Sequence, residues 1–313
     1  MRDKQFKNLD EQLEIFKYKG LIIEDEEFAK TVLLRENYFF INGYRHLFMK
    51  SANNKRYIEG TTFEELYSLF LFDRQFRNII FKHLLIIENN IKSIISYQLS
   101  KKYGYKESDY LKVKNFDGAP DKQRQINDLL KKMKRQIRVN GSQHSATSHY
   151  LSNYGYIPLW VLVKVLSFGI VSEMYSILKL EDRLAIANIY GIDQETLTNY
   201  LPILANYRNL CAHEDILFEN KTQRFIDDTR YHALLNIDKV DDEYIYGKND
   251  LFALLIIIRQ LLTGNEVKNL ILEIEHVLNN LEYNLKTISI DKVLDRMGFP
   301  PNWKDIAGIE IGD

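Results

Sequence analysis

The sequence predicts an all-α protein, and three observations carry that expectation. The 313 residues include only five prolines and fourteen glycines, so long stretches run without a strong helix breaker. Apolar residues recur at helical spacing through most of the chain. Capping residues stand where such runs begin, as in Gly60-Thr61-Thr62-Phe63-Glu64-Glu65, where a threonine hydroxyl and a glutamate three positions later suit a helix N-terminus. With 45% hydrophobic residues, the chain is long enough to bury a substantial core as one large domain or two small ones.

Residues 1–60 read as an N-terminal helical segment of two short helices and a loop, with Leu9, Leu13, Phe16 and then Phe28, Val32, Leu33 at helical spacing and Gly20 and Gly43 as punctuation. A long helix follows from the Thr61/Thr62 cap. Leu66, Leu69, Phe70, Phe76, Ile80, Leu84, Ile87, Ile91 and Ile95 carry it to about Leu99, with a break expected near Asp73. From Tyr103 to Tyr154 the chain is polar, and turn signals at Asp117-Gly118-Ala119-Pro120 and Asn140-Gly141-Ser142 flank one basic helix. Pro158 then suits the first turn of a helix running through Trp160, Val163 and Leu166 to Leu178, apolar on most sides, with Gly169 as a possible kink. Two helices, 181–189 and 194–213, are separated by Gly191 and Asp193, which suit a C-cap and an N-cap. Residues 61–220 thus form the helical core. Residues 221–313 form a C-terminal helical extension, irregular to Lys248 and then a helix pair to Leu285, and the three parts together are expected to make one compact unit.

Charge and cysteine usage narrow the function classes. Forty-two Lys and Arg balance 43 Asp and Glu, so any polyanion site must be local rather than global. One candidate is the stretch containing Lys122, Arg124, Lys131, Lys132, Lys134, Arg135 and Arg138, opposed by the single acid Asp128; a solvated helix face is the competing reading. A lone Cys211 rules out an internal disulfide and a four-cysteine zinc site and fits a reducing, cytoplasmic setting. Met1-Arg2-Asp3-Lys4-Gln5-Phe6 carries charge where a secretion signal needs an apolar core. The longest apolar run, Leu251 to Ile258, is far short of the roughly 20 residues of a membrane helix, so no membrane partner is expected.

The chemistry points to Tyr207-Arg208-Asn209-Leu210-Cys211-Ala212-His213. Cleaving RNA without a metal needs a group that moves a proton near neutral pH and a cation that holds phosphate oxygens as charge builds up; histidine and arginine supply these. On a helix Asn209 and His213 share a face, and Arg208, offset by about 100°, has a long forked side chain that can turn toward the same site. Catalytic roles therefore fall to Arg208, Asn209 and His213. Spacing alone is weak support, because chance placement gives about one such Arg–His pair in a chain of this composition. Three occur, the others being Arg77–His83 and Arg138–His144. Taken by itself, His213 also suits a helix-end cap or a core hydrogen bond.

Other residues receive plainer readings. Cys211 is a small packing residue. His46, His83, His232 and His276 stand alone, and His144 and His149 fall in an expected loop. Glu214 and Asp215 could bind a divalent ion, yet acids beside a helix end are common. No metal site, glycine-rich phosphate loop or G-x-S-x-G elbow is present, so no cofactor is expected.

Several segments together resemble the Abi family typified by AbiD and AbiF, phage-exclusion proteins placed in the wider HEPN group of helical ribonucleases. They are Asn37-Tyr38-Phe39-Phe40-Ile41-Asn42-Gly43-Tyr44, Gly60-Thr61-Thr62-Phe63 leading to Phe72-Asp73-Arg74, Pro158-Leu159-Trp160-Val161 leading to Leu166-Ser167-Phe168-Gly169, Arg208-Asn209-Leu210-Cys211-Ala212-His213, and Gly298-Phe299-Pro300. The resemblance implies a HEPN-like helical bundle over 61–220, RNase activity, and toxicity that halts the host cell during phage infection. It also implies a homodimer with facing Arg–His motifs, which would supply both an acid and a base, and it permits a small structured antitoxin RNA, for which the Lys122–Arg138 stretch is the first candidate. Relatives often carry a second histidine and a basic residue where this chain has Glu214, Asp215 and Ile216, which bears on substrate geometry. Arg77 and His83 could form an internal second motif, although a six-residue separation puts them about 120° apart. Arg74, Arg77 and Glu88 suit ordinary helix-surface pairs, and Arg74 a structural or dimer role.

Overall fold

The computed structural model describes residues 5–51 and 53–309; Met1 to Lys4, whose charges argued against a secretion signal, lie outside the described residues. The fold is all-α. Its axis is one helix, α4 (Phe63–Tyr103), preceded by α1 (Leu9–Tyr18), α2 (Glu26–Glu36) and α3 (Tyr38–Gly43). Next come α5 (Glu107–Tyr110), α6 (Gln123–Asn140), α7 (Ser145–Tyr154), α8 (Leu159–Val165), α9 (Phe168–Ser176), α10 (Leu180–Ala187) and α11 (Gln194–Ala212). The C-terminal part holds α12 (Arg230–Leu234), a two-residue hairpin of β1 (Lys239–Val240) and β2 (Glu243–Tyr244), α13 (Leu251–Leu261), α14 (Gly264–Asn284) and α15 (Ile290–Met297).

Between the two threonines, the structure selects Thr62 as the cap of α4. Its hydroxyl accepts from the Glu65 N–H, and the Glu65 carboxylate accepts from the Thr62 N–H, both at 3.3 Å. The second Glu65 oxygen accepts from the N–H groups of Lys286 and Thr287 at 2.6 and 2.7 Å, so a buried acid fastens the helix start to the C-terminal part. The expected break at Asp73 is absent, because Asp73 faces the core and its carboxylate bonds the side chains of Tyr44 and Arg77 and the backbone of Leu217 and Phe218 rather than the backbone of its own helix.

Along α4, Leu66, Leu69, Phe76, Ile80, Leu84, Ile91 and Ile95 are fully buried, and α8, α11 and α14 pack against them. The single helix expected from Pro158 to Leu178 is two. Leu166 is extended, and the Ser167 hydroxyl accepts from the Ile170 N–H to start α9; the break lies before Gly169 because a serine side chain offers the backbone a better terminus there. Trp160, expected inside, is 44% exposed and rests against Tyr105. Gly191 takes φ +65° and Asp193 caps α11 through the N–H groups of Glu195 and Thr196, as the sequence suggested.

Helix α13 is buried from Leu251 through Ile258, as a helix apolar on all sides must be. Its cap, Asp250, accepts from the N–H groups of Gly247 and Ala253, and at Gly298, with φ +78°, a Cβ would collide with the Asp250 carboxyl. Burial pushes the Asp250 carboxyl up from 3.8 to about 6, against the lowering pull of its backbone donors. A carboxyl raised in the folded state keeps its proton there after the unfolded chain has lost it, so stability falls as pH rises from about 4 through about 6. Between pH 4 and 7 the wild-type chain should therefore lose about 1–3 kcal/mol relative to Asp250→Asn. Chemical denaturation of both proteins across that range measures the difference, and parallel curves would refute it.

Candidate functional site

Helix α11 ends where its sequence chemistry changes. Leu197, Tyr200, Leu201, Leu204 and Tyr207 hold one side in the core, and beyond Cys211 the residues Ala212 to Asp215 are exposed. The His213 N–H donates to the Asn209 carbonyl at 3.0 Å and the Asp215 N–H to the Leu210 carbonyl at 3.2 Å, closing the helix end. Glu214 then takes φ +57° and turns the chain away. This last turn brings Asn209 and His213 together on the solvent side, and among the described residues neither side chain has a hydrogen-bond partner in the protein.

Arg208 points elsewhere. Its Nε donates to a Glu88 carboxylate oxygen on α4 at 3.2 Å, and its guanidinium lies 5.7 Å from the centre of the Phe81 ring. Glu88 is buried and also accepts from Lys92 at 2.7 Å. It therefore makes neither of the surface pairs with Arg74 or Arg77 suggested by sequence spacing. The arrangement aims the arginine while leaving its two terminal nitrogens without a protein partner among the described residues. Such a guanidinium retains two donors for a phosphate. Cys211 is buried, and burial pushes its thiol up to about 12, so it is no nucleophile near neutral pH.

The second Arg–His pair is placed differently. Arg77 and His83 are 3% and 2% exposed. Arg77 donates to Asp73 and to the Tyr44 hydroxyl, and its Nη1 also reaches the Asp215 carbonyl at 3.3 Å. His83 Nδ1 lies 2.9 Å from the Ile79 carbonyl, and burial holds the ring's pKa below its ordinary value. The two are not brought together as a site: His83 is buried, and Arg77, held by Asp73 and Tyr44, reaches only the wall of the cleft beside the motif. Arg74 grips Glu36 with both terminal nitrogens, at 3.1 and 2.6 Å, and covers the Phe70 ring at 4.6 Å, tying α2 to α4.

Beside the motif lies a cleft of about 570 Å³ between α2–α3 and the segment Glu214–Ile216. Its walls include Arg35, Phe39, Phe40, Asn42, Arg45, His46 and Arg74. His46, expected to stand alone, lies 3.1 Å from Glu219. No local pattern in the sequence marks this cleft, since the exposure of Phe39 and Phe40 is set by the packing of α2 and α3 and not by their spacing.

The basic residues of 122–138 lie on α6, apart from Lys122 just before it, and the helix buries Ile126, Leu129, Leu130 and Met133 against α8 and α9. Lys122 pairs with Asp117 at 2.6 Å, Lys132 with Glu173 at 2.6 Å and Lys131 with Asp128 at 3.6 Å. Among the described residues Arg124, Lys134, Arg135 and Arg138 are exposed without an ion pair, leaving a cationic stripe. His144 and His149 belong to the start and middle of α7 rather than to a loop. Among the described residues no group of three or more His, Cys, Asp or Glu is placed to hold a metal ion, and no helix is long and apolar enough to cross a membrane.

A family model described as Abi-like protein matches residues 31–219, more than half of the chain, beginning within α2 and ending just past the motif. No curated protein and no solved structure matched.

Proposed function

Because the chain belongs to the Abi-like protein family, which suggests a role in abortive infection, we propose that it is a toxin-type, metal-independent RNA endonuclease of anti-phage defence, related to the HEPN ribonucleases. The observation that carries this reading is the end of α11, where His213 and Asn209 stand in solvent without a partner among the described residues and Arg208, next to Asn209 in the chain, is fixed by Glu88 through Nε alone. The 2′-hydroxyl of the RNA attacks the adjacent phosphate, leaving a 2′,3′-cyclic phosphate on one fragment and a 5′-hydroxyl on the other. His213 takes or gives the proton, Arg208 stabilises the charged phosphorane, and Asn209 orients the imidazole or the phosphate. The reaction needs a base for the attacking hydroxyl and an acid for the leaving oxygen, whereas one motif offers a single histidine. A homodimer with facing motifs supplies the second. A small structured antitoxin RNA, if one holds the protein, would meet the cationic stripe of α6.

The Glu88–Arg208 pair favours a second reading. An arginine already matched by a carboxylate can grip phosphate without driving its cleavage, which would make the chain a non-catalytic RNA-binding or regulatory protein. Purified protein incubated with single-stranded RNA separates the two. Cleavage that survives a chelator and leaves cyclic-phosphate ends is the expected result, with a solution mass twice that of the chain. Activity abolished by chelator and restored by manganese would move attention to Glu214 and Asp215. Binding without cleavage would select the second reading.

A further inference from the structure

We propose that the cleft beside the motif is a nucleobase subsite, which takes one unstacked base of single-stranded RNA while the adjoining phosphate lies at Arg208 and His213. The inference rests on the RNA reading above and adds what the substrate must look like next to the cut. The cleft begins directly after the histidine, since Glu214, Asp215 and Ile216 form one of its walls. At about 570 Å³, it falls in the range of roughly 300–1,000 Å³ found for small-ligand clefts.

Its chemistry suits a base better than a phosphate. The Arg74 charge is already matched by Glu36 and the Arg77 charge by Asp73, and on the same walls Glu214 and Asp215 offset the two arginines that make no ion pair among the described residues, Arg35 and Arg45. What remains on offer is flat apolar surface and hydrogen-bonding edges. Phe39 and Phe40 are 74% and 51% exposed, with ring centres 5.8 Å apart and planes inclined by 71°. Unpaired bases stack on such rings, and single-stranded RNA is commonly recognised in this way. Asn42 Oδ1 and Arg74 Nε, both from residues of the wall, are buried without a protein partner. Buried polar atoms are seldom left unsatisfied, so this wall holds hydrogen-bonding capacity that its own residues do not use. Asn37 on the same wall holds φ +69°, a conformation costly for a residue other than glycine.

The test measures binding in the full-length His213→Ala chain, so that RNA stays uncut, with and without Phe39→Ala and Phe40→Ala together. The probe is a fluorescent single-stranded oligoribonucleotide, compared with its duplex and with an abasic strand of equal charge. Losing the two rings should weaken single-strand binding about five- to a hundredfold, leave duplex and abasic binding unchanged, and leave the melting temperature near that of the parent. Unchanged single-strand binding overturns the proposal. So does a loss of dimer mass without a change in RNA binding, which would make the two rings a self-association surface. If the wild-type chain cuts RNA but the double variant binds as its parent does, the subsite fails and the nuclease reading stands. If RNA binds through the rings but is never cut, the subsite stands and the nuclease reading fails.

Discussion

Replacing His213 by alanine is expected to lower RNA cleavage by about 10²- to 10⁴-fold, the range over which a positioned proton-transfer group contributes, and to relieve growth arrest in cells expressing the protein. The fold should survive. The imidazole is exposed at the end of α11 with no hydrogen-bond partner among the described residues, and such surface changes usually alter stability by less than about 0.5 kcal/mol. The backbone N–H of residue 213, which closes the last helical turn on Asn209, is retained in the variant. A melting curve like that of the parent together with lost cleavage would separate chemistry from folding. If the purified variant still cuts RNA at the parent rate, His213 is not the acid or base. A dimer adds a sharper form of the experiment. If facing motifs divide the roles of acid and base, a mixed dimer with one altered chain should lose most of its activity, not half.

The all-α class was legible because it rests on local rules: sparse helix breakers, apolar spacing, and caps such as Thr62 and Asp193 whose side chains bond N–H groups two or three residues away. The position of the motif at a helix end was legible for the same reason. Features set by residues distant in sequence were not. That Arg208 turns to Glu88, 120 positions earlier, depends on how α11 crosses α4. No spacing rule encodes that crossing. The cleft has the same character, since its walls come from α2–α3, α4 and the chain after α11. At Ser167 a local cap interrupted a continuous apolar pattern, because hydrophobic periodicity reports burial on both sides of a break equally well. Helix α15 was missed in the tail although Ser289 caps it in the ordinary way; eight residues give too short a pattern to distinguish from a turn.

Asp73→Ala is expected to be the most damaging single substitution to stability, costing about 3–5 kcal/mol, the usual penalty for removing one partner of a buried ion pair. That is a large share of the roughly 5–15 kcal/mol that holds a domain together. The side chain is 0% exposed and four donors converge on it: the Tyr44 hydroxyl at 2.7 Å, Arg77 at 2.5 Å, and the N–H groups of Leu217 and Phe218 at 3.1 and 2.7 Å. Burial pushes its carboxyl up, and the nearby arginine and these donors pull it back down. Alanine would leave a guanidinium and two peptide N–H groups buried without their acceptor. The consequence should extend to the candidate site, because Asp73 and Arg77 both bind the segment 215–218 that follows the motif, and Phe218 stacks on Tyr44 at 5.8 Å. Adding Arg77→Met to Asp73→Ala removes the stranded charge, so the double variant should recover part of the loss, giving a coupling of roughly 1–3 kcal/mol in a double-mutant cycle. Denaturant titration of the four proteins reads this directly. An Asp73→Ala chain within about 1 kcal/mol of the parent would mean that water reaches the site and replaces the carboxylate, and the cluster would then not be what holds the motif's flank in place.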